Sequence, residues 1–162
     1  MAQNYIILAG GCFWGMEDLF SKFKGVEETV VGYTGGEVNQ PTYTDVKVGT
    51  SGHAEAIKVT YQDEETDLKE ILHFFFRIHD PTTKDRQGND IGTQYRSAIF
   101  FRDEAQKEVA EEVIREVNRS GRWENEIVTT LETEKEFFLA EEFHQKYLKK
   151  NPGGYTCHFI RD

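Results

Sequence analysis

Cys12 stands in GGCFWGMEDLF, behind two glycines and ahead of Phe13, Met16, Leu19, Phe20 and Phe23, an apolar series at helical spacing. A thiol at the mouth of a helix meets the positive end of the helix dipole and gives up its proton easily. Neighbouring glycines keep backbone N–H groups approachable. That is a setting for a nucleophile. Adjacent residues on the first turn point about 100° apart, so Phe13 and Trp14 cannot both face one core. One of them is expected to line a surface pocket beside the thiol, suited to a small apolar group such as a methyl.

Glu55 is the second chemical candidate. Alternation in HAEAIKVTY puts Glu55, Ile57, Val59 and Tyr61 on one strand face and Ala54, Ala56, Lys58 and Thr60 on the other. A carboxyl heading an apolar row is desolvated, keeps its proton near neutrality and is a ready general acid. At a fraying strand end it would merely be solvated. Tyr95 heads YRSAIFF and shares a face with Ser97, Ile99 and Phe101, while Tyr43 lies in a glycine-rich loop before the Glu55 strand. Either fits an ordinary packed tyrosine whose hydroxyl reaches water. Asp90, in GNDIG, equally fits a turn former.

His53, two residues before Glu55, is placed to serve as a base, which leaves a cysteine hydrolase open as an alternative. An acidic interaction domain with an aromatic patch is a third reading. The only other cysteine is Cys157, in the pliable GGYTCHF tail. Beside a reactive Cys12 it becomes a partner for disulfide formation. Two cysteines so far apart, with scattered histidines, lack the ligand spacing of a metal site. No glycine-rich nucleotide loop is present.

The elements that must position these groups follow from patterning. YIILA reads as a buried strand, a helix follows from Phe13 toward Gly25, and VEETVVGY and HAEAIKVTY are strands. DLKEILHFFFRIHD is a helix capped by Asp67 and Glu70, and 82–94 is a long polar loop of the kind that is often functional. YRSAIFF is a strand, residues 103–118 an amphipathic helix closed by Gly121, EIVTTLE a weaker strand, and LAEEFHQKYLKK a last helix. The order predicts an α+β protein, a two-layer α/β sandwich around a mixed sheet, with a ferredoxin-like βαββαβ core and additions.

The 162 residues fit one domain, 1–162, with a full core. A net charge of −10 argues against nucleic acid and against an anionic membrane surface. No apolar run approaches the roughly 20 residues of a spanning helix. YIILAGG has no cationic segment before it, so a cytoplasmic protein is expected, with monomer as the default state.

GGCFWGMEDLF closely resembles the signature of the A-type peptide methionine sulfoxide reductases. The likeness continues through VVGYTGG, PTYTDVKVGTSGHAEAIKVTY, FFFRIHDPTTKDRQGNDIGTQYRSAIFF and YLKKNPGGY, in order along the chain. The resemblance implies a two-layer α/β fold and reduction of methionine S-sulfoxide, free or in oxidised proteins. It implies Cys12 as nucleophile, Phe13 and Trp14 as the seat of the substrate methyl, and Glu55 as proton donor. Tyr43 and Tyr95 would be hydrogen-bonding tyrosines, and Asp90 would line the pocket. No cofactor or metal is implied, only an external dithiol reductant such as thioredoxin. Many members carry the resolving cysteine directly after the tail's GY. Here Thr156 intervenes, and Cys157 is the candidate.

Overall fold

The computed structural model describes residues 3–49, 51–156 and 158–161. In chain order the elements are β1 (Gln3–Gly10), α1 (Phe13–Phe20), β2 (Val26–Thr34), α2 (Tyr43–Lys47), β3 (Ala54–Gln62), α3 (Leu68–Ile78), β4 (Arg86–Gln87), β5 (Asp90–Ile91), β6 (Ser97–Phe101), α4 (Glu104–Ser120), β7 (Thr130–Thr133), β8 (Phe138–Leu139) and α5 (Tyr147–Lys150).

The six-stranded sheet runs β7-β6-β1-β3-β2-β8. Each of its inner four strands is antiparallel to its neighbours among them, and with α1 and α3 as crossovers they form the expected βαββαβ core. β7 adds in parallel to β6, which makes the sheet mixed. Alternation sorts the strands between two apolar clusters. Ile6, Leu8, Val31, Tyr33, Ile57, Val59 and Ile99 join Phe13, Met16 and Phe20 of α1, Ile71, Leu72 and Phe75 of α3, and Ala110 and Val113 of α4. The other face gathers Ile7, Ala9, Ala54, Ala56, Ala98 and Phe100. Each fully buried large side chain contributes about 1.5–3 kcal/mol.

Local chemistry sets the helix ends. Asp67 accepts from Glu70 N–H and Asp103 from Gln106 N–H, while Gly121 closes α4 in the left-handed region at φ 74°. The Glu70 carboxylate takes the Thr66 hydroxyl at 2.9 Å instead of completing a capping box. The loop before β3 holds a helix that the sequence reading missed, α2, with a reciprocal Thr42–Asp45 box.

Three further expectations are corrected. Tyr95 does not head a strand; it closes a 3-10 turn, Thr93–Tyr95, and β6 begins at Ser97. The 82–94 stretch contains the β4–β5 hairpin, pinned by Gln87, whose side chain bonds both the N–H and the carbonyl of Asp80. The last helix is broken into a 3-10 turn, Glu142–His144, and α5, because Gln145 is extended and Lys146 sits in the left-handed region. Among the described residues no helix is long and apolar enough to cross a membrane.

Candidate active site

Gly10 ends β1, and Gly11 turns the chain at φ 99°, a conformation that glycine adopts without strain. A Cβ on Gly11 would lie 2.6 Å from Gln87 Cγ, so the hairpin packs directly against this turn. Cys12 is therefore delivered to the N-cap of α1, with φ −54° and ψ 124°, and is 7 % exposed. Its side chain makes no capping bond. The first helical N–H, that of Phe13, donates to Glu55 Oε1 at 3.2 Å.

Glu55 thus meets the helix mouth from β3, where it stands opposite Tyr33 of β2. It is 2 % exposed, and burial pushes its carboxyl up to about 8. The Phe13 N–H works against that rise, and the nearby Asp90 charge adds to it. The group is consequently neutral near pH 7 and can donate a proton. Tyr43 is pushed up to about 12, first by burial and then by the charges of Glu55, Cys12 and Asp90. Tyr95 is raised in the same way, by burial first, then by Glu55, Tyr43, Asp90 and Cys12. Both hydroxyls stay protonated and available as donors around the thiol and the carboxyl. Asp90 is half-buried, is raised chiefly by burial, and accepts from Tyr155 Oη at 3.3 Å.

Phe13 and Trp14 diverge as first-turn geometry requires. Phe13 is buried, its ring 5.7 Å from Tyr33 and 5.4 Å from His144. Trp14 is half-buried at the edge; its Nε1 donates to His144 Nδ1 at 2.9 Å, and its ring stacks on Tyr147 at 3.8 Å and 10°. His144 also packs against Tyr43, at 4.5 Å. Because Nδ1 accepts, the His144 proton lies on Nε2, and burial holds this imidazole below its ordinary pKa. His144, Tyr147 and Glu141 escaped the sequence reading. Glu141 accepts from Tyr33 Oη at 2.8 Å and from Tyr43 N–H at 2.9 Å, and so tethers α2.

His53 is not available as a base. Its Nδ1 accepts from Gly36 N–H at 3.1 Å and its Nε2 meets the Val38 carbonyl at 2.6 Å, so it organises the preceding loop. Cys157 lies outside the described residues. Its chain neighbours both rest on α1: a Cβ on Gly15 would fall 2.3 Å from Thr156 Oγ1 and 2.4 Å from His158 Nδ1. His158 Nε2 donates to the Gly10 carbonyl at 2.7 Å. Among the described residues no three His, Cys, Asp or Glu side chains are grouped to hold a metal ion.

The family model described as peptide methionine sulfoxide reductase matches residues 4–162. The chain belongs to this family. The family's members are oxidoreductases, and one relative, the peptide methionine sulfoxide reductase MsrA of Nocardia farcinica, is 56% identical over 155 residues, covering 96% of this chain and 89% of its own. The crystal structure of Mxr1 from Saccharomyces cerevisiae in reduced form is similar at a TM-score of 0.93 and 40% identity, over 99% of this chain and 93% of that one. Mxr1 in complex with Trx2 is similar at 0.68 and 30% identity, over 99% and 91%. Within this methionine sulfoxide reductase framework, the motif residues Cys12, Phe13, Trp14, Tyr43, Glu55, Asp90 and Tyr95 converge on the N-terminal end of α1.

Proposed function

We propose that the chain reduces methionine S-sulfoxide, free or in oxidised proteins, to methionine by thiol chemistry at Cys12. A sulfoxide sulfur is a poor electrophile because its oxygen leaves badly. Glu55 supplies a proton to that oxygen as the Cys12 thiolate attacks the sulfur, and the Tyr43 and Tyr95 hydroxyls hold the oxygen. Phe13 and Trp14 seat the S-methyl and favour the S epimer. Asp90 lines the pocket. The oxygen and its proton pass to Cys12: thiolate, sulfoxide and one proton become sulfenic acid and methionine. Cys12 sulfur loses two electrons, and the substrate sulfur gains them.

Cys157 then attacks the Cys12 sulfenic acid, forming a disulfide and releasing water, and a thioredoxin-type dithiol restores both thiols by exchange. The complex of the yeast relative with Trx2 supports that reductant class. One observation carries the reading: the residue after Cys12 bonds a buried carboxyl that keeps its proton to about pH 8. The test is a stoichiometric reaction of the reduced protein with methionine S-sulfoxide in the absence of reductant. One methionine per chain, with loss of two hydrogens across the Cys12 and Cys157 peptides, is expected, and none from Cys12→Ser. A retained substrate adduct, or methionine formed equally by Cys12→Ser, overturns it.

A further inference from the structure

Glu17 is a buried carboxylate that this reaction leaves unused. It lies on α1, five positions beyond Cys12, and is 2 % exposed. Burial of a charge is tolerated only when its oxygens are well paired, and here they are. Oε1 accepts from Lys146 N–H at 2.7 Å, and Oε2 accepts from Thr29 Oγ1 at 2.9 Å and Lys146 Nζ at 3.0 Å. Lys146 Nζ also donates to the Thr29 carbonyl at 2.7 Å. A staple between helix and strand could be the whole purpose, but the conformation and surroundings of Lys146 say more.

Lys146 has φ 54° and ψ 36°, a left-handed conformation that a side-chain-bearing residue holds only when its surroundings impose it. The bonds to Glu17 impose it from both the backbone and the side chain. This kink breaks what would otherwise be one helix, and it sets the directions of the residues on either side. Two residues earlier, His144 takes the Trp14 indole N–H; one residue later, Tyr147 lies flat on the Trp14 ring. Between them, Gln145 bonds the N–H and the carbonyl of Val31. Trp14 is thus gripped by two residues whose relative orientation depends on the kink.

We propose that Glu17 is a positioning residue for substrate binding: by holding Lys146 it sets His144 and Tyr147 against Trp14 and fixes the aromatic wall on which the sulfoxide methyl docks. The substrate in this statement rests on the sulfoxide-reductase reading; the grip on Trp14 does not. The chain has two tryptophans, Trp14 and Trp123, so a Trp123→Phe background leaves Trp14 as the sole indole reporter.

In that background, Glu17→Gln places an amide donor among three donors and should release the segment. The expected result is a KM for methionine S-sulfoxide raised about tenfold with kcat held within about twofold, the signature of lost uniform binding. Acrylamide should quench Trp14 more strongly in the same protein. Lys146→Ala, which keeps the backbone bond to Glu17, should move both readouts in the same direction by less, and it decides the matter if Glu17→Gln does not fold. A lowered melting temperature with unchanged KM and unchanged quenching, or a loss of kcat at constant KM, overturns the proposal. Should the parent protein reduce no sulfoxide at all, the functional reading fails, and quenching alone still tests whether Glu17 holds Trp14.

Discussion

Glu55 shows why a single residue's chemistry depends on what faces it. A carboxyl near the start of a strand is ordinarily wetted, but this one stands opposite Tyr33 and beneath the first turn of α1. Glu55→Ala should therefore slow single-turnover methionine formation by about 10²–10⁴, the usual range for a general acid. Iodoacetamide should still alkylate Cys12 in that variant, a control that separates lost proton donation from a damaged nucleophile. Cys12 and Glu55 were legible in the sequence because a helix start and a strand alternation are local patterns. His144 and Tyr147 were not. Their run, EEFHQKY, has helical composition, and the left-handed Lys146 that redirects it is imposed by Glu17 from far along the chain. From its own pattern Asp90 fitted a turn former equally well, because its hairpin is anchored by Gln87, which bonds Asp80 and packs on Gly11 from far along the chain.

At the scale of elements, α1 is shared between the thiol at its cap and the tail on its flank. Gly15 lies inside the helix, where alanine would ordinarily be favoured by about 0.8–1 kcal/mol. Its missing Cβ instead makes room for Thr156 and His158. Gly15→Ala should push the tail away from the helix. Methionine should still form in a first turnover, while disulfide closure slows severalfold, as measured by thiol titration against time. Equal closure rates in the two proteins would mean that tail docking on α1 does not govern the second step. The strands and the three long helices were readable because their apolar periods are strong. The two-residue strands and the 3-10 turns carry too few residues to show a period, and Tyr95 was misplaced for that reason.

Across the whole molecule, buried ionisable groups pull stability in opposite directions with pH. Burial pushes His79 to about 3 and His158 to about 4, so both stay neutral in the fold while the unfolded chain takes up protons. Their contribution is present at neutral pH and is lost as the pH falls from about 6.5 toward 4 for His158 and toward 3 for His79. Glu55 has the other sign. The fold keeps its proton to about 8, whereas the unfolded chain loses it above about 4.5, so stability drains as the pH rises between those values. Thermal melts of Glu55→Gln should accordingly gain on the parent protein steadily from about pH 5 to about pH 8. A constant gap over that interval would contradict a carboxyl held neutral by burial.

The pairing of a neutral carboxyl with the Cys12 sulfur is tested most directly by the pH profile of single-turnover methionine formation at saturating sulfoxide. The parent protein should lose rate above about pH 8, approaching tenfold per unit, as Glu55 gives up its proton. Glu55→Gln should be slow and show no such descent. A parent rate that stays level well beyond pH 8, or a Gln variant that keeps both the parent's rate and its descending limb, would contradict Glu55 as the proton donor.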